Sequence, residues 1–393
     1  MEAMFRLGSL LVLPVILAGC QDDVANRTPS VVPTLDLVQS QVLTEDLRID
    51  GIEEDLVPIT DLAVSTDGTI AVVQSQDHKV RFFTSDGEPF IDFGRRGQGP
   101  GEFTAASRVG WLSDTLWVHD LDQRRFTLIS PEYEFVRTVA SSDQPSPKAR
   151  EALGLPGFAR LVPRHLLSGN VVLAGVLNPS NETDQIWARM TMAGDLDRVV
   201  LRYDAGPEDI RYAAGNMTAS AGMPYPNRPL VAVAPDGTNA IVVKAHIDDD
   251  MVGTFEVLTM STFGDTVRHR QYQFEPLEIS RATADSIIDA RADDLEERYP
   301  PLARRYRREA VVPPIYPPIR GAMIGIDGTV WIRLRTGDRI DPYLILDVKG
   351  DPIARVALPP ATFFAVVSRN TVWAVERDDV GIQSVVRYRM TGR

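Results

Sequence analysis

ITDLAVSTDGTIAVVQSQDHKVRFFTSDGEPFIDFGRRGQGPGEF, residues 59–103, decides the fold. It holds four short apolar runs, at 59–64, 69–73, 80–83 and 89–93. Asp67-Gly68 and Asp86-Gly87 separate two pairs of them, and a looser polar stretch at 75–78 separates the middle pair. Asp-Gly is a hairpin signal because Gly takes φ > 0 without steric cost and Asp tolerates the left-handed region. The spacing predicts four antiparallel strands in about 45 residues, the size of one repeat of a radial β architecture.

The rest of the chain carries imperfect copies of this unit. Asp67-Gly-Thr-Ile-Ala-Val returns as Ser113-Asp-Thr-Leu-Trp-Val, Asp327-Gly-Thr-Val-Trp-Ile and Arg369-Asn-Thr-Val-Trp-Ala. Weaker copies begin at Ser168 and Asp236, which makes six. The fold expected is therefore all-β, a six-bladed β-propeller. Trp117, Trp331 and Trp373 share one register in the repeat. They read as packing between neighbouring blades, since buried aromatic rings carry large apolar area; a row of ligand-stacking rings is the alternative.

The N-terminus reads as a targeting segment. Arg6 precedes an apolar run at 7–17 that ends in Leu17-Ala18-Gly19-Cys20. A charged start, a short apolar core and small residues before a cleavage point make an export signal, and the run is short for a membrane span. Leu-Ala-Gly-Cys resembles the bacterial lipoprotein box. That resemblance implies a signal peptide over 1–19 and a mature chain anchored in the membrane through lipid on Cys20. Gln21 rather than Asp after the cysteine implies, by the same resemblance, a bacterial envelope location in the outer membrane, facing the periplasm or the cell surface. Cys20 is the single cysteine of the chain, so no internal disulfide can form. Residues 20–33 read as a flexible tether, and strand-like sequence at 34–43 reads as the strand that completes the last blade. That blade, 361–391, supplies only three strands of its own. A ring closed this way hides its strand edges.

Between 280 and 299 the apolar period changes from strand to helix, with Ala284, Ile288, Ala292, Leu295 and Tyr299 on one face. Pro300-Pro301 stops it, and a second short helix is expected over 302–310. The stretch 276–318 is therefore an α-helical and Pro-rich insertion between blades four and five, expected to cap the propeller. Residues 141–155 and 205–229 read as surface excursions. The chain is 393 residues long, 44% hydrophobic and 24% charged, with formal net charge −13. One large domain fits that length, and the acidic balance argues against nucleic acid as a partner.

Phe93-Gly94-Arg95-Arg96-Gly97-Gln98-Gly99-Pro100-Gly101-Glu102-Phe103 resembles the interblade segment of NHL-repeat propellers and related exported bacterial proteins. It reads as a crossover to the next blade, anchored by Phe103. A phosphate-binding glycine loop is a poorer match, because neither Lys-Ser/Thr nor a helix follows.

Strand alternation puts the tight Asp-Gly turns on one face and the longer connections on the other. Variable loops on a rigid scaffold are where function concentrates. The candidate ligand-face residues are Arg95, Arg96, Asp77, His78, His119, Asp120, Asp248, Asp250 and Asp338. The spacing of His78, His119 and His246 demands no metal site, and the acidic run at 248–250 lacks a Gly-bearing calcium loop. No Gly-x-Ser-x-Gly nucleophile elbow occurs. These readings favour a binding module without catalysis or cofactor, holding a peptide, glycan or protein partner at the loop face and channel mouth. The alternative rests on resemblance to six-bladed lactonases. It implies a metal-dependent hydrolase with calcium in the axial channel, for which Asp61 and Glu102 are the inward candidates.

Overall fold

The computed structural model describes residues 31–32, 38–56, 58–206, 209–214, 217–248, 251–337, 340–359 and 362–392. The expected signal peptide, Cys20, Asp250 and Asp338 lie outside them.

Strands β1 (Val31–Val32) and β2 (Ser40–Ile49) precede the first repeat. That repeat is β3 (Asp61–Val64), β4 (Ile70–Gln74), β5 (Lys79–Phe83) and β6 (Pro89–Phe93), hydrogen-bonded in sequence order and antiparallel throughout. The second is β7 (Ala106–Leu112), β8 (Thr115–Asp120), β9 (Arg125–Ile129) and β10 (Phe135–Ala140). A short helix, α1 (Pro147–Leu153), leads into β11 (Arg160–Leu167), β12 (Val171–Leu177), β13 (Asp184–Thr191) and β14 (Leu196–Asp204). A separate hairpin, β15 (Asp209–Ala214) with β16 (Met217–Gly222), comes next. The fourth repeat is β17 (Leu230–Val233), β18 (Asn239–Ile247), β19 (Gly253–Ser261) and β20 (Thr266–Phe274). Helices α2 (Arg281–Glu296) and α3 (Pro300–Glu309) separate it from β21 (Ile319–Ile324), β22 (Val330–Leu334), β23 (Tyr343–Leu346) and β24 (Pro352–Val356). The chain ends in β25 (Thr362–Val367), β26 (Thr371–Arg377) and β27 (Gln383–Gly392).

The arrangement is mostly β and propeller-like. Each repeat is a four-stranded meander whose early strands are covered on both faces. Strand β4 is buried along its whole length, whereas β6 at the outer edge is largely exposed. A strand covered on both faces needs an apolar run rather than strict alternation, which is what Ile-Ala-Val-Val supplies. The apolar clusters fall between consecutive sheets. One joins the first and second through Phe82, Phe103 and Val118. Others join the second to the third, the third to the fourth, the fourth to the fifth and the fifth to the sixth. A further cluster, with Ile49, Ile70 and Trp373, joins the last sheet back to the first. Trp117, Trp331 and Trp373 are all buried, each in the cluster between its own sheet and the next.

Strand β2 pairs antiparallel with β27 from Gln41↔Gly392 to Ile49↔Val385, so it supplies the fourth strand of the last sheet. It runs six residues beyond the 34–43 stretch singled out in the sequence. Leu47 and Ile49 face the cluster between the last and first sheets, while the charged Glu45, Asp46 and Arg48 beside them obscure the alternation. Ser40 and Gln41 also pair in parallel with β24, linking the last two sheets at one corner. Strand β1 pairs in parallel with β20, within a stretch that composition alone reads as tether.

Helices α2 and α3 do not pack on the sheets as a lone cap. Ala292, Leu295, Leu302, Ala303 and Tyr306 pack against Ile210 and Ala221 of the β15–β16 hairpin. The two interblade excursions thus cover each other. Ser280 caps α2 by accepting the Thr283 N–H at 3.1 Å. Arg307 of α3 reaches back to Asp293 (2.5 Å) and Glu296 (3.0 Å) of α2. Tyr299, expected in the buried stripe, is instead exposed at the junction.

Candidate functional site

First strands of neighbouring repeats contact one another, β3 with β7, β7 with β11, β17 with β21 and β25 with β3, and two cavities lie against them. One, of about 440 Å³, is lined by the first three repeats, through Thr60 and Asp61, Ser107, Arg108 and His119, and Leu161. The other, of about 280 Å³, takes lining from all the sheets, including Val64, Arg108, Trp117, Arg164, Pro235, Ile326 and Val366. Asp61 and Arg108 line both, so they mark the junction between the cavities.

The pairing of β7 with β8 shifts register between Ala106 and Arg108, and along this strand Val109 is buried while Ser107 and Arg108 are more accessible. The Asp61 carboxylate accepts the Val109 N–H at 3.0 Å and the Leu62 N–H at 2.9 Å, tying the first two sheets together at the axis. Burial pushes its pKa above the ordinary carboxylate value, opposed by those two amides and by the charge of Arg108. His119 is buried beside Phe126, with ring centroids 4.7 Å apart, and its Nδ1 lies 3.4 Å from Ser107 Oγ. Burial and then the Arg108 charge bring its pKa down to about 4, so it is neutral at physiological pH. Arg164 is pressed the same way, by burial first and by Arg108 second. Asp61, His119 and Arg164, whose guanidinium lies over the Trp187 ring of β13, therefore all feel the Arg108 charge.

Trp117 belongs to a second strand, yet its indole reaches the axis. It passes over Gly110 of the innermost strand β7, where a Cβ would stand 2.5 Å from the ring. His165 packs edge-on to that indole at 5.1 Å. Its ring nitrogens lie 2.7 Å from the Leu166 carbonyl oxygen and 2.8 Å from that of Pro235, which links the third and fourth sheets.

The sequence-derived candidates are scattered. His119 lines the first cavity. Asp120, beside it in sequence, is fully buried and committed to backbone. It accepts N–H groups of Thr104 (2.7 Å), Ala105 (3.2 Å) and Gln123 (2.9 Å). Burial raises its pKa, but these donors outweigh burial and leave it below the ordinary value. Asp77 is exposed and holds the Gln74 amide at 3.0 Å. His78 takes the left-handed conformation (φ +57°) in the β4–β5 turn. Asp248 accepts the Val252 N–H at 2.7 Å in the β18–β19 turn.

Arg95 and Arg96 are exposed on the glycine-rich crossover, and Arg95 pairs with Glu102 at 2.8 Å. Glu102 also accepts the Gly99 N–H at 2.8 Å, so it serves the loop rather than the axis. Phe103 is buried and its ring lies against Gly94 (φ +96°), where a Cβ would come within 2.5 Å of it. Arg125 and Gln123 bind the loop carbonyls of Gln98, Gly99 and Gly97. The motif is a fastened crossover.

Calcium requires about six to eight oxygen ligands. Among the described residues no three His, Cys, Asp or Glu side chains converge as a metal-binding group. The Asp61 oxygens already accept backbone amides, and Arg108 stands beside them.

Sequence reasoning missed Arg108, Arg164 and Trp111. Each sits on or beside an innermost strand, a placement visible only once the repeat is assigned to blades.

No protein-family model matches the chain. No curated protein matches it either. Solved structures that superpose on it include a Bacteroides fragilis protein described as exported (11% identity, 91% of this chain and 97% of that chain, TM-score 0.49). A DUF4221-family member from Bacteroides vulgatus superposes at 8% identity over 91% and 98% of the two chains, TM-score 0.47. The calcium-binding protein regucalcin from Agrobacterium tumefaciens does so at 12% identity over 90% and 97%, TM-score 0.37. Among the described residues no helix is long and apolar enough to cross a membrane.

Proposed function

We propose that the chain is an exported, lipid-anchored, six-bladed propeller of the NHL-like type, closed by β2, that binds a ligand in its axial channel without turning it over. The observation that carries this reading is the pair of cavities sharing Asp61 and Arg108, one lined by the first three repeats and the other by all six. A small number of polar groups in an apolar concavity is the usual composition of a ligand site. The ligand classes are peptide, glycan or an exposed segment of a protein partner, entering the 440 Å³ cavity from the face that carries the interblade connections.

The competing reading is a calcium-dependent hydrolase of the lactonase kind. The site chemistry favours binding, because the Asp61 carboxylate is engaged by two backbone amides and the positive charge of Arg108 acts on it.

Purified protein should be screened on glycan and peptide arrays, and in parallel against a lactone panel with calcium added. Saturable binding with no turnover is expected. Calcium-stimulated lactone hydrolysis would overturn the reading.

A further inference from the structure

The His165 ring stands at the junction of the third and fourth sheets with an acceptor at each nitrogen. Strand β11 shifts register against β12 between Pro163 and His165, and such irregularities re-aim side chains. The residue is only 7% exposed. Its Nδ1 lies 2.7 Å from the Leu166 carbonyl oxygen, and its Nε2 lies 2.8 Å from that of Pro235. A carbonyl oxygen can only accept, and a neutral imidazole carries one N–H and one lone pair. Both contacts are therefore hydrogen bonds only in the imidazolium. In the neutral ring one lone pair faces a carbonyl oxygen at hydrogen-bond distance, which is repulsive. The Leu166 carbonyl belongs to the ring's own strand and moves with it. The Pro235 carbonyl comes from the turn between β17 and β18, so the contact that can open is the one between sheets. Gly237 of that turn lies against the ring as well, where a Cβ would stand 2.8 Å from Nδ1.

Burial lowers the folded-state pKa of the ring below the ordinary histidine value, against the two carbonyls and the charge of Asp236, which raise it. Asp236 sits beside Pro235 in the turn, and Arg164 adjoins His165 on β11. Asp61 and Arg108 line the same 280 Å³ cavity from the first two sheets. Trp117 of β8 meets the ring edge-on at 5.1 Å and brings no charge, and neither does Leu173, the partner of His165 on β12. Trp117, His165, Pro235 and Asp236 all line that cavity, so the junction forms part of its wall.

From this arrangement we infer that His165 is a proton-operated clamp between the third and fourth sheets. With a proton on each nitrogen the ring ties Leu166 to Pro235, the arrangement seen in the structure. On losing one proton it lets go of Pro235 and frees the β17–β18 turn at the cavity wall. The clamp is thus open at neutral pH and closes as pH falls through the lowered pKa. It does not depend on what the cavity holds, nor on whether the chain binds a ligand or hydrolyses it.

The test is a titration of the full chain, carrying isotope-labelled histidine, from about pH 8 to about pH 4, with the ring nitrogens followed by magnetic resonance. The His165 signals are assigned through their proximity to the Trp117 indole protons. One ring nitrogen is expected to carry a proton at the alkaline end and both at the acid end, with the midpoint below the ordinary histidine value. The Gly237 amide donates to the Ala234 carbonyl at 2.8 Å within the turn. Over the same interval, and after correction for intrinsic exchange, it should become about three- to tenfold better protected, the gain of one hydrogen bond. His165→Phe should remove that step in protection, and His269→Phe on β20 should leave it. A ring that stays neutral, or stays charged, across the range overturns the clamp. So does a protonation step without a change at Gly237, or a step at Gly237 that persists in His165→Phe. The ring titration needs no variant, so it remains decisive even if His165→Phe impairs folding.

Discussion

Replacing Asp120 by Ala should cost the fold more than any substitution on the exposed loops. Its carboxylate has no exposure and holds three backbone N–H groups, those of Thr104, Ala105 and Gln123. It also accepts the Thr104 hydroxyl and the Gln123 side-chain amide, both at 3.1 Å. Together these fasten the start of the second sheet to the β8–β9 turn. Each amide left unsatisfied costs about 1–3 kcal/mol. Allowing water into the space the carboxylate leaves puts the total near the lower end, about 3–5 kcal/mol. Asp120→Asn keeps one acceptor oxygen but points an NH₂ at a donor-rich site, so about half that loss is expected. Urea unfolding with an unchanged m-value is the assay.

The pH dependence gives an independent check. The folded-state pKa of Asp120 lies below the ordinary value, so its contribution is complete above about pH 5 and is lost as pH falls through the depressed value. The stability gap between parent and Asp120→Asn should narrow over that interval and be constant above it. A loss under 1 kcal/mol for Asp120→Ala, or a gap insensitive to acid, would refute the clamp.

The other predictions are more local. Deleting residues 20–30 should leave the urea midpoint unchanged, whereas extending the deletion through Ile49 should cost about 3–5 kcal/mol from the lost burial of Leu47 and Ile49; equal midpoints would dismiss β2 as the closing strand. Leu295→Asp in α2 and Ile210→Asp in β15 should both speed amide exchange across α2 and α3, since one cluster holds them. Exchange confined to the mutated element would show that helices and hairpin are independent. Cys20→Ser should remove the protein from the membrane fraction, and continued lipid labelling of that variant would end the anchor proposal.

Much of the architecture was legible in the sequence because it follows from local rules. Asp67-Gly68 and Asp86-Gly87 announce hairpins through backbone sterics, and the four apolar runs between them define a meander without reference to the rest of the chain. The Trp117, Trp331 and Trp373 register marked the packing between sheets for the same reason: a repeat puts equivalent residues in equivalent places. The Ser280-capped helix was readable from its period.

What closes around the axis was not. A strand's sequence says which residues share a face, but not which strand of a sheet lies innermost. Arg108 and Arg164 therefore looked like ordinary charges in β-rich stretches. Asp120 looked available, since nothing local reveals that the Thr104 and Ala105 amides would fold back onto it. The hairpin at 209–222 looked like loop because its apolar side is covered by helices some 70–95 residues further on. Local periodicity is set by neighbours along the chain, and it determined the strands. Burial and charge at the axis are set by residues brought together from every sheet, and only the tertiary structure decided those.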